Sequence, residues 1–306
     1  MRRIVPGAPK SPTIGIADNP APAAADVTAG MMQTVSAILA LLASITYGAA
    51  DFLGGMMGRR IPTTMVVLWS QSIGLMLAVV AALVFPADQI EVADFAWGAL
   101  AGATGTVGLY FLYQGLAQGR MAVVSPVAAL VGALFPLSIG LWLGERPIPV
   151  EWIGIALALP AIWLVAAVGK IEGPNGFLHG VVAGVGFGSF FAAIAQTGEG
   201  SGFWPLVGAR VTQVVVLAVM ARRQGLGLPP PGTRLAVVTL GAADMLANVF
   251  VLLAFRSGLL TLVAVLTSLY PAVTVLLAVW ILSEPIGPRQ KVGLLLALVA
   301  VALIAV

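Results

Sequence analysis

Five polar side chains interrupt stretches that are otherwise apolar: Asp51, Gln71, Arg210, Asp244 and Asn248. An ionisable side chain at mid-bilayer costs upward of about 2.5 kcal/mol, so by default it is paired, faces water or serves function. A carboxylate and a guanidinium there can form an ion pair, trade partners with a substrate ammonium, or carry a proton. Arg210 lies about seven residues into one apolar stretch and Asp244 about eleven from the end of the next, both counted from the same membrane face. At 1.5 Å per residue their depths differ by about 6 Å, within an arginine's reach, which predicts a pair. Asn248 follows Asp244 by one helical turn on the same face, where its amide would hold a polar substrate group. Asp51 precedes Arg59 by about eight residues, which leaves it roughly 10 Å below the interface and able to snorkel.

Aromatic side chains stand at similar depth. Tyr110 and Tyr113 are three apart and share a helical face, with Phe111 between them. A buried tyrosine seeks a hydroxyl partner, so in a membrane it turns towards protein or a wet cavity. With Tyr47, Phe187 and Tyr270 these rings predict a pocket for an apolar or aromatic group. Trp69, Trp97, Trp152 and Trp204 lie near span ends and read as interfacial anchors. Glu145 and Glu284, each beside a proline at a span end, read as structural, and His179 as a solvated side chain at an interface.

The elements that must carry these residues follow from composition. Sixty per cent of the residues are apolar and 9% charged, against about 25% charged in soluble domains. In hydrocarbon every backbone N–H and C=O needs an internal partner, which leaves helices or closed barrels. Apolar runs of about 20 residues select helices. With no cysteine and one histidine, no multi-histidine or thiolate metal site is expected, and no cofactor. A net charge of +3 gives no argument for nucleic acid. No nucleophile–base pair stands at a recognisable spacing, and no Gly-x-x-x-x-Gly-Lys-[Ser/Thr] loop is present, so neither an enzyme nor an ATP-driven pump is predicted.

Ten spans are predicted, over 34–56, 63–85, 94–117, 122–143, 150–168, 177–196, 203–221, 235–255, 260–282 and 289–306, making an all-α polytopic membrane protein. Residues 1–32 read as a disordered tail without a signal peptide. The halves are 33–170 and 176–306, divided at Gly173-Pro174-Asn175-Gly176. Residues 102–154 recur without a gap at 241–293: Gly102 falls on Gly241, Gly119 on Gly258, Val124 on Val263, Leu130 on Leu269, Glu145 on Glu284 and Gly154 on Gly293. Five spans per half is odd, so the repeats are inverted, a transporter signature. Glycines at 98 and 102, and at 180, 184 and 188, predict close helix contacts. Pro126, Pro136 and Pro271 predict bent, cavity-lining helices.

Tyr47-Gly48-Ala49-Ala50-Asp51-Phe52 also matches Phe187-Gly188-Ser189-Phe190-Phe191. An aromatic-Gly pair in spans 1 and 6, an arginine inside span 7, and Tyr270-Pro271 running to Leu282-Ser283-Glu284 resemble the EamA-type drug/metabolite transporter superfamily over all ten spans. That resemblance implies a central cavity lined by spans 1, 3, 4, 6, 8 and 9, and export of amino acids or related metabolites. The candidate substrate-binding set is Tyr47, Asp51, Tyr110, Tyr113, Phe187, Ser189, Asp244, Asn248 and Tyr270, with Arg210 and Asp244 as charge pair or coupling site. Two features depart from the family: neither Pro126 nor Pro136 aligns with Pro271, and the connection after span 2, Pro86-Ala87-Asp88-Gln89-Ile90-Glu91, is acidic where the family is basic.

The resulting expectation is a secondary carrier in the inner membrane, working as a monomer by alternating access on a small-molecule substrate, amino acids first, with the proton as candidate coupling ion. Sugar or nucleotide derivatives, drugs, and a passive channel are the alternatives. Orientation rests on loop charge. Connections after odd-numbered spans carry Arg59, Arg60, Arg120, Lys170, Arg222, Arg223, Arg234, Arg289 and Lys291, and those after even-numbered spans only Arg146 and Arg256. The positive-inside rule then puts both termini outside, whereas the resemblance and the tail's Arg2, Arg3 and Lys10 imply termini inside; the loops are followed because distant charges count for little.

Overall fold

The computed structural model describes residues 22–117, 121–166, 174–282 and 287–304. Among them are eleven α-helices and no strand: α1 (Pro22–Gly58), α2 (Thr63–Val84), α3 (Val92–Ala117), α4 (Met121–Trp142), α5 (Pro149–Ala166), α6 (Pro174–Ile194), α7 (Trp204–Arg223), α8 (Pro231–Ser257), α9 (Leu260–Thr267), α10 (Tyr270–Leu282) and α11 (Pro288–Ile304). Helices α1, α2, α3, α6, α7 and α8 are each long and apolar enough to cross a membrane. α9 and α10 are two pieces of the ninth span, which gives ten spans in two inverted five-helix repeats. The first helix takes in residues 22–32, part of the stretch expected to be a tail. Pro22 suits a first helical position and Ala23 to Ala25 are strong helix formers. Residues 1–21 lie outside the described residues, as do Gly119, Arg120, Lys170 and Glu284.

The ninth span breaks where Pro271 predicts. Proline has no N–H to continue the ladder, and the chain tightens across the gap. Leu269 N–H bonds to Leu266 at 3.2 Å and Ala272 N–H to Leu269 at 2.9 Å. The fourth span has no such break: α4 is continuous from Met121 to Trp142 through both Pro126 and Pro136. Lost bonds in a membrane helix are tolerated where neighbouring elements cover them.

The repeat seen in the sequence is a symmetry of contacts. α3 packs on α6 and α7, and correspondingly α8 on α1 and α2; α5 packs on α11 across the two halves. Gly102 of α3 lies against the carbonyl of Ala209, and its repeat mate Gly241 lies against the carbonyl of Ser70. A Cβ at either position would run into backbone, so both close approaches depend on glycine. Helix starts match as well. Glu151 Oε2 accepts the Ile148 N–H at 2.7 Å, and Gln290 Oε1 accepts the Gly287 N–H at 2.8 Å. Each side chain reaches back to an N–H just ahead of its helix, which the helical ladder leaves unbonded.

Polar links stitch the membrane face that carries the connections after even-numbered spans. Glu145, just beyond α4, accepts the N–H groups of Leu260 at 2.8 Å and Thr261 at 2.9 Å, capping α9. Asp94 accepts the Gly198 N–H at 2.8 Å, and Arg256 donates to the Gly202 carbonyl at 2.6 Å and to Ser201 Oγ at 3.1 Å. The structural role expected for Glu145 is thus a bond between the two halves. On the opposite face His179 meets Gln114 at 3.3 Å and rests against Phe111.

Candidate functional site

Midway along the helices, both halves line one cavity of about 570 Å³, its open mouth included. α1 brings Tyr47 and Asp51, α3 Gly105 and Leu109, and α4 Ala128, Ala129 and Gly132. From the second half come Phe187, Phe190 and Phe191 of α6, Arg210 and Gln213 of α7, and Asp244 and Asn248 of α8. Ser268 and Tyr270 enter from the break between α9 and α10.

The break matters for placement. α10 is tied to α1 by Thr274 Oγ1, which donates to the Gly48 carbonyl at 3.1 Å, so Tyr270 is brought towards Tyr47 and Asp51. Tyr47 in turn meets Phe191 with ring centroids 6.4 Å apart, and Phe190 and Phe191 stack edge to face at 5.8 Å. One side of the cavity is therefore an aromatic wall.

Its polar side is built around Asp244. Arg210 Nη2 lies 2.7 Å from Asp244 Oδ2, with the two side chains only 3% and 6% exposed. Arg210 Nη1 donates to Gln213 Oε1 at 3.1 Å, and Gln71 Nε2 to Asp244 Oδ2 at 3.3 Å. A buried charge without a partner costs several kcal/mol, and the pair with its amide neighbours offsets much of that. Asn248, also in the lining, has its Nδ2 donating to the main-chain carbonyl of Asp244 at 2.7 Å. Asp51 lines the same space half-buried rather than snorkelling to water, and no hydrogen bond or ion pair engages it among the described residues.

The expected set is thus brought together in part. Tyr47, Asp51, Phe187, Arg210, Asp244, Asn248 and Tyr270 line the cavity, while Tyr110, Tyr113 and Ser189 are not among the lining residues. Tyr110 is half-buried with its ring edge-on to Phe111 at 5.8 Å. Tyr113, only 2% exposed, lies against Gly54 of α1 in a cluster of apolar side chains. Gln213, Phe190, Phe191 and Ser268 were not foreseen, and α7 joins the helices around the cavity. Two of these had a signal: Gln213 is one turn after Arg210 on the same face, and Phe191 matches Asp51 in the aromatic-Gly motif.

Residues 34–167 and 174–306 each match the model of the EamA-like transporter family. The chain belongs to that family. An EamA-like protein is a membrane transporter of small molecules, and its members are transporters rather than enzymes. No curated protein matches the sequence. A protein of known crystal structure, 20% identical, superposes with a TM-score of 0.69 over 89% of this chain and 95% of its own. At that identity the likeness is one of fold. The second matched stretch begins at Pro174, where α6 also begins.

Proposed function

We propose that this EamA-like protein is a secondary carrier that exports small amphipathic metabolites, with amino acids, aromatic and apolar ones included, as the leading class. The observation that carries the reading is the mid-membrane cavity, whose lining combines a buried Arg210–Asp244 pair with Tyr47, Phe187 and Phe191. A zwitterion with an apolar side chain needs both kinds of surface. Alternating access moves the two halves around this site, driven by substrate or ion gradients, the proton being the candidate coupling ion.

In liposomes holding the purified protein, labelled phenylalanine should show saturable counterflow. Flux without saturation would make the protein a channel, and chemical change of the substrate would make it an enzyme. The protein is proposed to act as a monomer in the inner membrane with both termini outside. Arg59, Arg60, Arg222, Arg223, Arg289 and Lys291 gather on one face and support that orientation. A C-terminal alkaline phosphatase fusion should be active; fluorescence from a cytoplasmic reporter at the same point would reverse the orientation.

A further inference from the structure

The cavity's charges do not balance. Among its lining residues stand two carboxylates, Asp51 and Asp244, and one cation, Arg210. Arg210 is already committed, with Nη2 on Asp244 at 2.7 Å and Nη1 on Gln213 at 3.1 Å. Asp51 is left with no ion-pair or hydrogen-bond partner among the described residues. An uncompensated carboxylate facing a half-enclosed apolar space is costly unless something arrives to neutralise it.

A second observation points the same way. Tyr270 lines the cavity only 7% exposed, and its hydroxyl is buried without a hydrogen-bond partner. Buried hydroxyls are almost always bonded, so an unsatisfied one at a cavity wall marks a place for a ligand's polar atom. Asp51 lines the same cavity as that hydroxyl. Tyr47 and Phe191 continue the wall, and aromatic faces attract cations.

We propose that Asp51 and Tyr270 form the ammonium-recognition site of the carrier, so that the transported compounds are primary amines and amino acids read by the amine end. The Asp51 carboxylate takes the ammonium as charge partner and the Tyr270 hydroxyl oxygen accepts one of its N–H bonds. The apolar body lies along Tyr47 and Phe187. A substrate carboxylate must compete with Asp244 for Arg210, so a monocation binds better than a zwitterion. An acid without the amine meets an occupied arginine and a repelling Asp51, and binds worst. This rests on the carrier reading above, but its test does not depend on transport.

Three probes share one body and differ in charge: phenethylamine, phenylalanine and 3-phenylpropionate. Binding to the purified full chain, followed by intrinsic tryptophan fluorescence or thermal shift, should rank them in that order, with at least a tenfold gap between the amine and the acid. Asp51→Asn should weaken the amine at least tenfold while the acid, freed of the repulsion, binds at least as well as before, and Asp51→Glu should restore most of the amine's affinity. Equal binding of all three, tighter binding of the acid, or no binding of the amine overturns the inference. An unchanged amine affinity in Asp51→Asn does so too. Counterflow failing for every probe in protein that still ranks them would instead remove the carrier reading.

Discussion

In the second half of the chain the cavity positions of α7 and α8 carry Arg210, Asp244 and Asn248, and the break after α9 carries Ser268. At the matching positions of the first half stand Gln71, Gly105, Leu109 and Ala129. The exchange runs the other way in the first helix of each half, where Asp51 of α1 matches Phe191 of α6. Gly105, Leu109, Ala129 and Phe191 all line the cavity. The repeat therefore fixes which backbone positions face the centre, while the side chains at those positions have diverged. The ion pair is internal to one half. The bond from Asp244 to the other half, donated by Gln71, has a neutral donor and is longer at 3.3 Å. Of the two, the bond to Gln71 is the cheaper one to break, which would leave Arg210 with Asp244.

The largest effect that would sharpen this contrast comes from breaking the pair. Asp244→Asn leaves Arg210 buried without a counter-charge, at about 3–5 kcal/mol, so the yield of monodisperse protein on size-exclusion chromatography should fall steeply. Adding Arg210→Gln should recover the yield without recovering counterflow. Recovered counterflow would reduce the pair to scaffolding. Moving the cation instead, with Arg210→Gln and Gln71→Arg together, tests whether the symmetric position can serve. Gln71 already touches Oδ2, so this exchange should also restore yield.

The shared framework was more legible in the sequence than the divergent chemistry. Hydropathy and the gapless repeat from Gly102 to Gly154 determine spans and their inversion, because lipid leaves the backbone few choices. Depth arithmetic sufficed for Arg210 and Asp244, since a buried charge must find its partner. The prolines were an uneven guide: Pro271 marks a break, while α4 passes through Pro126 and Pro136. For Tyr110 and Tyr113 depth was the wrong coordinate. Tyr110 is one residue, about 100° of helix, away from the cavity-facing Leu109, and Tyr113 is a full turn beyond it. Asp51 belonged to the candidate set from the sequence, but that no partner engages it depends on where Arg210 points, which the sequence does not show.

A middle-sized effect tests the symmetric framework itself. Gly102→Val and Gly241→Val each push a side chain into a backbone carbonyl, of Ala209 and Ser70 respectively. Overpacking of this kind costs about 1–3 kcal/mol. If the repeat governs helix packing, the two variants should lower the detergent melting temperature by similar amounts. A large loss from one and none from the other would show that the halves share a sequence pattern but not a mechanical role.

The smallest effect falls on Tyr110, and it separates the cavity from the aromatic residues around it. Its ring is half-buried and edge-on to Phe111, outside the cavity lining, and its repeat mate is the half-buried Val249. Tyr47 and Phe187 occupy matched positions in α1 and α6 and both line the cavity. Removing a ring that touches substrate forfeits the burial of a large apolar surface, on the order of 1.5–3 kcal/mol, or roughly a tenfold to hundredfold rise in KM. Tyr47→Ala and Phe187→Ala should each show such a rise in counterflow, while Tyr110→Ala stays within about twofold of the parent, well below one factor of ten. Since Tyr110 and Tyr47 lie at comparable depth, a change in membrane insertion would affect both and cannot mimic that split. Equal losses from all three would move the substrate out of the cavity, towards the space between α3 and its lipid-facing neighbours.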